Sequence, residues 1–234
     1  MDISRLLVSK GCAHGTVIAS DFQEAGRGRT SGRTWQTENK MSLPFTIALR
    51  YPKTENIPSA LTLRAGLALS LAIEDFSGAL KGLVKIKWPN DIMINSKKAA
   101  GILCESDGEN VFIGIGINIR QKEFPFNLRE KAVSIALASG TDVSENERFI
   151  LLEKTLSCLY GELMLKKNIQ TWKARLEERL YKKGERIIFK EGAADSGKTV
   201  KGVLHGIGEG GELLIAPDGE DRVTPFITGE ISFS

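Results

Sequence analysis

At 234 residues, with 41% apolar and 26% charged residues, the chain can bury a sizeable core and suits one main domain plus a small one. The 32 basic and 29 acidic residues leave a formal net charge of +3, so no bulk excess of charge drives non-specific binding to nucleic acid or anionic lipid. Cys12, Cys104 and Cys158 show no CxxC spacing and leave an odd thiol, as expected in a reducing cytosol. His14 and His205 are too far apart to argue for zinc. The opening residues lack a signal-peptide layout, and no apolar run approaches the roughly 18 to 20 residues that span a bilayer. The expectation is a cytoplasmic protein with no membrane partner.

In chain order, Asp2 to Lys10 carries Ile3, Leu6 and Leu7 at helical spacing and is stopped by Gly11. Gly15 to Ser20 has the β-branched run of a strand and leads into Asp21 to Trp35, DFQEAGRGRTSGRTW. There Arg27, Arg29 and Arg33 are interleaved with Gly26, Gly28 and Gly32, and Trp35 closes the stretch. Glycine lets backbone N–H groups approach a ligand, and arginine offers a planar fork for phosphate or carboxylate. The stretch reads as a mobile loop that folds over an anion. Leu43 to Arg50 is a second strand. From about Pro58 to Leu80 apolar residues recur nearly all round, as in a helix buried against a sheet.

Leu83 to Lys87, Ala99 to Glu105 and Asn110 to Ile119 follow as strand-like runs parted by short polar turns, which implies adjacent antiparallel strands. Ser144 and Glu147 have capping-box spacing and open a helical region through Met164. A further helix is expected from Gln170 to about Tyr181. After Gly184 the texture changes to short β-branched runs parted by glycine-rich turns, the pattern of a small β-barrel. Residues 1–183 are therefore expected as an α+β (α/β) domain and 184–234 as an SH3-sized barrel.

Two motifs mislead. Gly192 to Thr199, GAADSGKT, fits the P-loop expression, but a P-loop delivers its Lys and Ser/Thr on a helix. The glycines that follow, from Gly202 to Gly211, cannot form one, so a hairpin turn is expected. Gly114 and Gly116 begin a dinucleotide-type pattern, but Ile119 replaces its third glycine and the run is a strand.

Four stretches remain: the Arg/Gly loop; Lys87 to Asp91, KWPND; Lys98 to Gly101, KAAG, leading into ILCE; and Gly114 to Asn118, GIGIN. In this order and spacing the sequence resembles the biotin protein ligase family, which carries GRGRxGRxW, KWPND, K-x-x-G-I-L-x-E and G-x-G-x-N. Gly229 to Ser232 matches its C-terminal GE-[IV]-S segment. The resemblance implies the mixed sheet with helices shared by class II aminoacyl-tRNA synthetases and lipoate ligases, then an SH3-like barrel. It also implies activation of biotin as biotinyl-5'-AMP from ATP, with transfer to a lysine of a biotin carboxyl carrier domain.

That chemistry requires two anions to be positioned and the developing charge neutralised, with no protein nucleophile. Arg27 and Arg29 are the candidates for the clamp on carboxylate and phosphates, joined by Arg33. Lys98 would sit where carboxylate and α-phosphate meet; Lys97 is read as a solvated turn lysine. Asn90 and Asp91 are placed to order the triphosphate, Asp91 as a Mg²⁺ ligand. Gly114 and Gly116 weaken a strand unless a flat ligand lies on its backbone, with Asn118 reaching ribose or phosphate. Trp35 offers a stacking face for adenine or is a buried structural tryptophan. Gln23 is the family's polar partner of the ureido ring, and Gly26 and Gly101 belong with the biotin site. The expected partners are biotin, ATP with Mg²⁺ and the carrier domain, with no DNA, zinc, haem or nicotinamide; monomer and homodimer both stay open.

Two departures accompany the resemblance. The loop is one residue longer at Thr30 and Ser31. The family's Ser-Thr-Asn is absent, Met1 standing where its Asn would, so the true start is expected upstream and no helix-turn-helix is expected. Rival readings are another acyl-adenylating ligase of this fold, acting on lipoate, and a single-stranded RNA-binding module using Arg/Gly and aromatic residues.

Overall fold

The computed structural model describes residues 1–30, 32, 34–35, 38–164, 172–192 and 197–232. Helix α1 (Asp2–Ser9) is followed by strand β1 (Thr16–Ala19), a two-stranded ribbon of β2 (Gly26–Arg27) and β3 (Thr34–Trp35), and the long strand β4 (Ser42–Arg50). Helix α2 (Leu61–Phe76) precedes strands β5 (Val84–Lys87), β6 (Asp91–Ile94), β7 (Lys97–Asp107) and β8 (Asn110–Asn118). The sheet order is β1-β4-β8-β7-β6-β5. Every strand pairing in the expected mixed sheet is antiparallel, and parallel pairing is reduced to the isolated bridges Ile86 to Leu180 and Lys98 to Ala132.

One face of this sheet is packed by α2, whose Leu67, Ala68, Leu69, Ala72 and Ile73 are fully buried together with Ile92, Ile113 and Ile117. The sequence reading found no run of membrane-spanning length. Thr54–Phe76 does meet that length and composition, but α2 within it is a core helix of the sheet. Helices α3 (Ile135–Ser139), α4 (Glu147–Leu163) and α5 (Trp172–Glu177) complete this part. The expected capping box of α4 is formed in both directions: Ser144 N–H donates to Glu147 Oε2 at 2.7 Å, and Glu147 N–H to Ser144 Oγ at 3.3 Å. Helix α5 ends at Glu177, before the expected Tyr181, and Gln170 lies outside the described residues. Buried Glu162 of α4 takes Arg64 of α2 at 3.0 Å and Arg175 of α5 at 3.2 Å, which ties three helices together.

The C-terminal strands β9 (Arg186–Glu191), β10 (Thr199–Ile207), β11 (Leu213–Pro217), β12 (Thr224–Phe226) and β13 (Gly229–Ser232) form a second antiparallel sheet in the order β12-β11-β10-β9-β13. Trp88 joins the two parts. Its Nε1 donates to Gly211 O at 3.0 Å, and its ring lies 5.9 Å from that of Phe189. Within the small sheet Gly202 is packed against its neighbour: a Cβ there would meet the Ala216 carbonyl, with Pro217 Cα at 2.8 Å. Backbone cannot step aside as a side-chain tip can. Gly202→Ala is therefore expected to cost about 1 to 3 kcal/mol, read as a lower midpoint in thermal unfolding; an unchanged midpoint would refute the packing argument.

Three local expectations need correcting. Asp91 lies in a strand rather than beyond one: it opens β6, paired with Lys87 across a turn that contains the cis Trp88–Pro89 bond. Lys97 and Lys98 are strand residues rather than turn residues, the turn being Asn95 and Ser96, both at positive φ. On α1 the spacing is helical, yet Ile3 and Leu6 are exposed and Ser4 is the buried residue.

Candidate active site

The sheet face opposite α2 carries two transverse rows. Asp91 pairs with Gly101, Gly101 with Gly116 and Gly116 with Pro44; beside them Leu103, Gly114, Thr46 and Ile18 are aligned in the same way. All eight line one cavity of about 620 Å³, within the range of about 300 to 1,000 Å³ usual for small-molecule sites. The β2–β3 ribbon forms one wall, Met1 to Ser4 another, and Glu230 of β13 reaches the rim.

Lys98 owes its direction to a β-bulge. Ile92 pairs with Ala100, but the next residue, Met93, pairs with Lys98, so Ala99 is the extra residue. A bulge resets the alternation of a strand and re-aims a side chain, and here it puts Lys98 on the face of Gly101. A Cβ on Gly101 would lie 3.3 Å from Lys98 Nζ. The ammonium pairs with Asp91 Oδ1 at 2.6 Å and lies 5.7 Å from the centre of the Trp35 ring.

The Arg/Gly stretch, expected as a mobile loop, forms a short ribbon in which Gly26 pairs with Trp35 and Arg27 with Thr34. Gly26 is needed for that pairing, because a Cβ would run into the Trp35 backbone. The Trp35 indole lies over the glycine floor: a Cβ on Gly116 would come within 2.7 Å of Trp35 Cε2. Among the described residues the buried Trp35 Nε1 has no acceptor, which leaves a donor for a ligand to satisfy. Met1 covers Gly114 in the same way, its Cε 2.5 Å from where a Cβ would be.

Both described arginines of the stretch are held by other groups. Arg27 Nη2 pairs with Asp2 Oδ1 at 2.7 Å, and Arg29 Nη2 donates to Gly229 O at 2.7 Å, a bond from the ribbon to the C-terminal sheet. The Arg27 pair is exposed and so worth at most about 1 kcal/mol, and an arriving anion can replace it. Gln23 lines the cavity. Arg33 lies outside the described residues.

Asn90 reaches the cavity, but its Nδ2 donates to Ile102 O at 3.0 Å. Asn118 does not line it. It is buried, donates to Val133 O at 3.4 Å and accepts from Gln121 Nε2 at 3.3 Å, so its amide holds the 119–133 segment to β8. No group of three or more His, Cys, Asp or Glu converges among the described residues. Mg²⁺ usually keeps several waters and takes one or two carboxylates plus substrate phosphates. Asp91 alone fits an ion brought in on a triphosphate, not one caged by the protein. Burial pushes the Cys104 thiol up to about 11, which leaves no thiolate for nucleophilic chemistry near neutral pH.

The sequence marked Gly229 to Ser232 as a family segment but assigned neither Gly229 nor Glu230 to the site, and it carried no signal for the bulge at Ala99. In the P-loop look-alike Thr199 opens β10 and pairs with Lys190 of β9 instead of starting a helix; residues 193–196, and with them the expected hairpin turn, lie outside the described residues. Lys198→Ala is accordingly expected to leave ATP consumption within twofold of the parent; a large loss would restore the P-loop reading.

The profile of the Biotin/lipoate A/B protein ligase family matches residues 5–120. The chain is 30% identical over 234 residues to the biotin--[acetyl-CoA-carboxylase] ligase of Paracoccus denitrificans, covering 94% of this chain and 92% of that protein. The chain belongs to the biotin protein ligase family. It is also 36% identical over 159 residues to the bifunctional ligase/repressor BirA of Bacillus subtilis, and that match spans 65% of this chain and about half, 47%, of BirA. Among solved structures, the Aquifex aeolicus biotin protein ligase in complex with biotin and ATP superimposes with a TM-score of 0.81 at 27% identity, covering 98% of this chain and 93% of that one. Membership of this ligase family accounts for the order of the four motifs and for the small five-stranded sheet that follows the larger one.

Proposed function

We propose that the chain is an ATP-dependent ligase that activates biotin as biotinyl-5'-AMP and transfers it to a lysine of a biotin carboxyl carrier domain. The observation that carries this reading is the convergence of Lys98, the ribbon arginines and a side-chain-free glycine floor on one cavity. The name of the Paracoccus relative and the two molecules bound in the Aquifex structure support the choice of substrates.

In the first step a carboxylate oxygen of biotin attacks the α-phosphorus and pyrophosphate leaves. Lys98 is the cation placed to hold both anions together, exchanging Asp91 for them; Arg27, Arg29 and Arg33 clamp carboxylate and phosphates. Gly101, Gly114 and Gly116 let the flat ligand rest on backbone, Gln23 and the backbone near Gly26 serve the ureido end, and Asn90 and Trp35 serve the nucleotide. Asn118, on the same side of β8 as the two glycines, acts from outside the cavity through its bonds to Val133 and Gln121. Mg²⁺ arriving with ATP would be held by Asp91 and would neutralise phosphate charge. In the second step the carrier's ε-amine attacks the acyl carbon and AMP leaves; the closed ribbon keeps water from the mixed anhydride until then. The catalytic unit is residues 1–183, and 184–234 supplies the latch at Gly229. A cytoplasmic location follows from the proposed substrates.

The test is ATP–pyrophosphate exchange by the purified chain with biotin, lipoate or neither. Biotin-dependent exchange is expected. Exchange driven by lipoate alone would move the chain to the lipoate branch of the same fold, and none with either acid would overturn the reading.

A further inference from the structure

The four motifs describe what lines the cavity but not what holds the ribbon above it. The ribbon rises from a stem whose two ends meet where Lys40 N–H donates to Asp21 O at 2.9 Å. Both ends are gripped by the start of α4, more than a hundred residues away in sequence. Arg148 is 1% exposed, and each of its nitrogens has an acceptor. Nη2 donates to Asp21 Oδ1 at 2.8 Å, Nη1 to Ser42 O at 3.0 Å and Nε to Glu145 O at 3.1 Å. Glu145 in turn pairs with Lys40 Nζ at 2.7 Å. Asp21 and Ser42 bracket the ribbon, so one guanidinium ties its entry to its exit.

A buried ion pair is weak evidence for stability, since desolvation offsets much of its attraction. What a planar fork provides is geometry, because three fixed donor directions fix three acceptors relative to one another. The same buried polar run continues from β4 to the end of β8. The Ser42 hydroxyl takes Gln121 Nε2 at 2.6 Å, and that amide also reaches Asn118 Oδ1 at 3.3 Å. Asn118 Nδ2 lies 3.5 Å from the backbone carbonyl of Lys98. The ribbon stem and the strand that carries Lys98 therefore share one set of buried bonds.

We propose that Arg148 is a positioning residue: without lining the cavity, it sets the stem so that Arg27, Arg29 and Trp35 are carried over the sheet face. The placement of the ribbon is independent of the ligand; the effect on substrate binding rests on the ligase reading given above. Arg148→Lys keeps the charge and loses the fork. Asp21→Asn keeps an acceptor and loses the charge at a half-exposed position that the core does not need.

Two measurements decide between positioning and mere support: the initial rate of tryptic cleavage at the ribbon arginines without ligand, and KM and kcat in biotin-dependent exchange. For folded variants, cleavage is expected to rise about tenfold and KM for ATP to rise about tenfold, with kcat within threefold of the parent. Cleavage or KM at the parent's level in both folded variants would overturn the proposal. If Arg148→Lys does not fold, Asp21→Asn carries the comparison. If the parent chain shows no exchange, the ligase reading fails and the cleavage rates alone decide the role of Arg148.

Discussion

Lys98→Ala is expected to lower biotin-dependent ATP–pyrophosphate exchange at least a hundredfold while leaving the thermal midpoint almost unchanged. The two halves of this expectation have different physical origins. In the folded chain Lys98 is partly exposed and makes one ion pair, with Asp91 at 2.6 Å, and such a pair is worth about 0 to 1 kcal/mol. At the proposed reacting centre the same ammonium would face charge that grows as the carboxylate meets the α-phosphate, where a preorganised donor is worth about 3 to 4 kcal/mol. The bulge at Ala99 holds Lys98 on the glycine face before any ligand arrives, so little reorganisation is needed during the reaction. Lys98→Arg should fail nearly as badly, because a wider, planar group cannot occupy the space beside Gly101. Exchange within threefold of the parent for Lys98→Ala would remove Lys98 from the mechanism.

Much of the sheet was legible because its signals are local. The β-branched runs of β1, β4, β7 and β8 and the all-round apolar helix α2 carry their own periodicity, and glycines mark where the C-terminal strands turn. Strand β6 was missed for an equally local reason. Its four residues, Asp91 to Ile94, lie between two turn signals, WPND and NSKK, and Asn90 and Asp91 at its start and Asn95 after its end weigh more in a sequence reading than Ile92, Met93 and Ile94. The bulge was invisible as well. Nothing in KKAAG distinguishes a regular strand from one with an extra residue, since the bulge is imposed by the register with β6 and by the bonds between Lys98 and the 131–133 segment.

Which residues line the candidate cavity was largely legible, because the cavity-facing residues fall in short motifs whose composition is poor for packing and suited to anions. Its architecture was not. Asn118 stands in a motif, and on the same side of β8 as Gly114 and Gly116, yet the 119–133 segment covers it there and takes its amide through Val133 and Gln121. The contacts that place the ribbon join residues far apart in sequence, Asp21 with Arg148 and Arg29 with Gly229. Pairings of that kind depend on how the elements pack and leave no pattern in composition or spacing.

Gly116→Val is expected to leave the sheet as stable as before, or slightly more so, and to weaken biotin binding by roughly a hundredfold or more. Valine suits the interior of a strand better than glycine does, by up to about 1 kcal/mol. The cross-strand neighbours of Gly116 are Gly101 and Pro44, so the new side chain meets no bulky partner within the sheet. It points at the cavity, where a Cβ would already be 2.7 Å from Trp35 Cε2 and 2.8 Å from Nε1. The indole must therefore leave the floor, and the two methyl groups occupy the surface on which the ligand is proposed to lie. Thermal unfolding and biotin titration separate the effects, and wild-type affinity in a folded variant would show that Gly116 is not floor. Adding Trp35→Ala refines the test. If Gly116→Val acts only by pushing the indole into the ligand's path, removing the indole restores binding; if the methyl groups fill the floor, the double variant stays as weak as the single one, which is the result expected here.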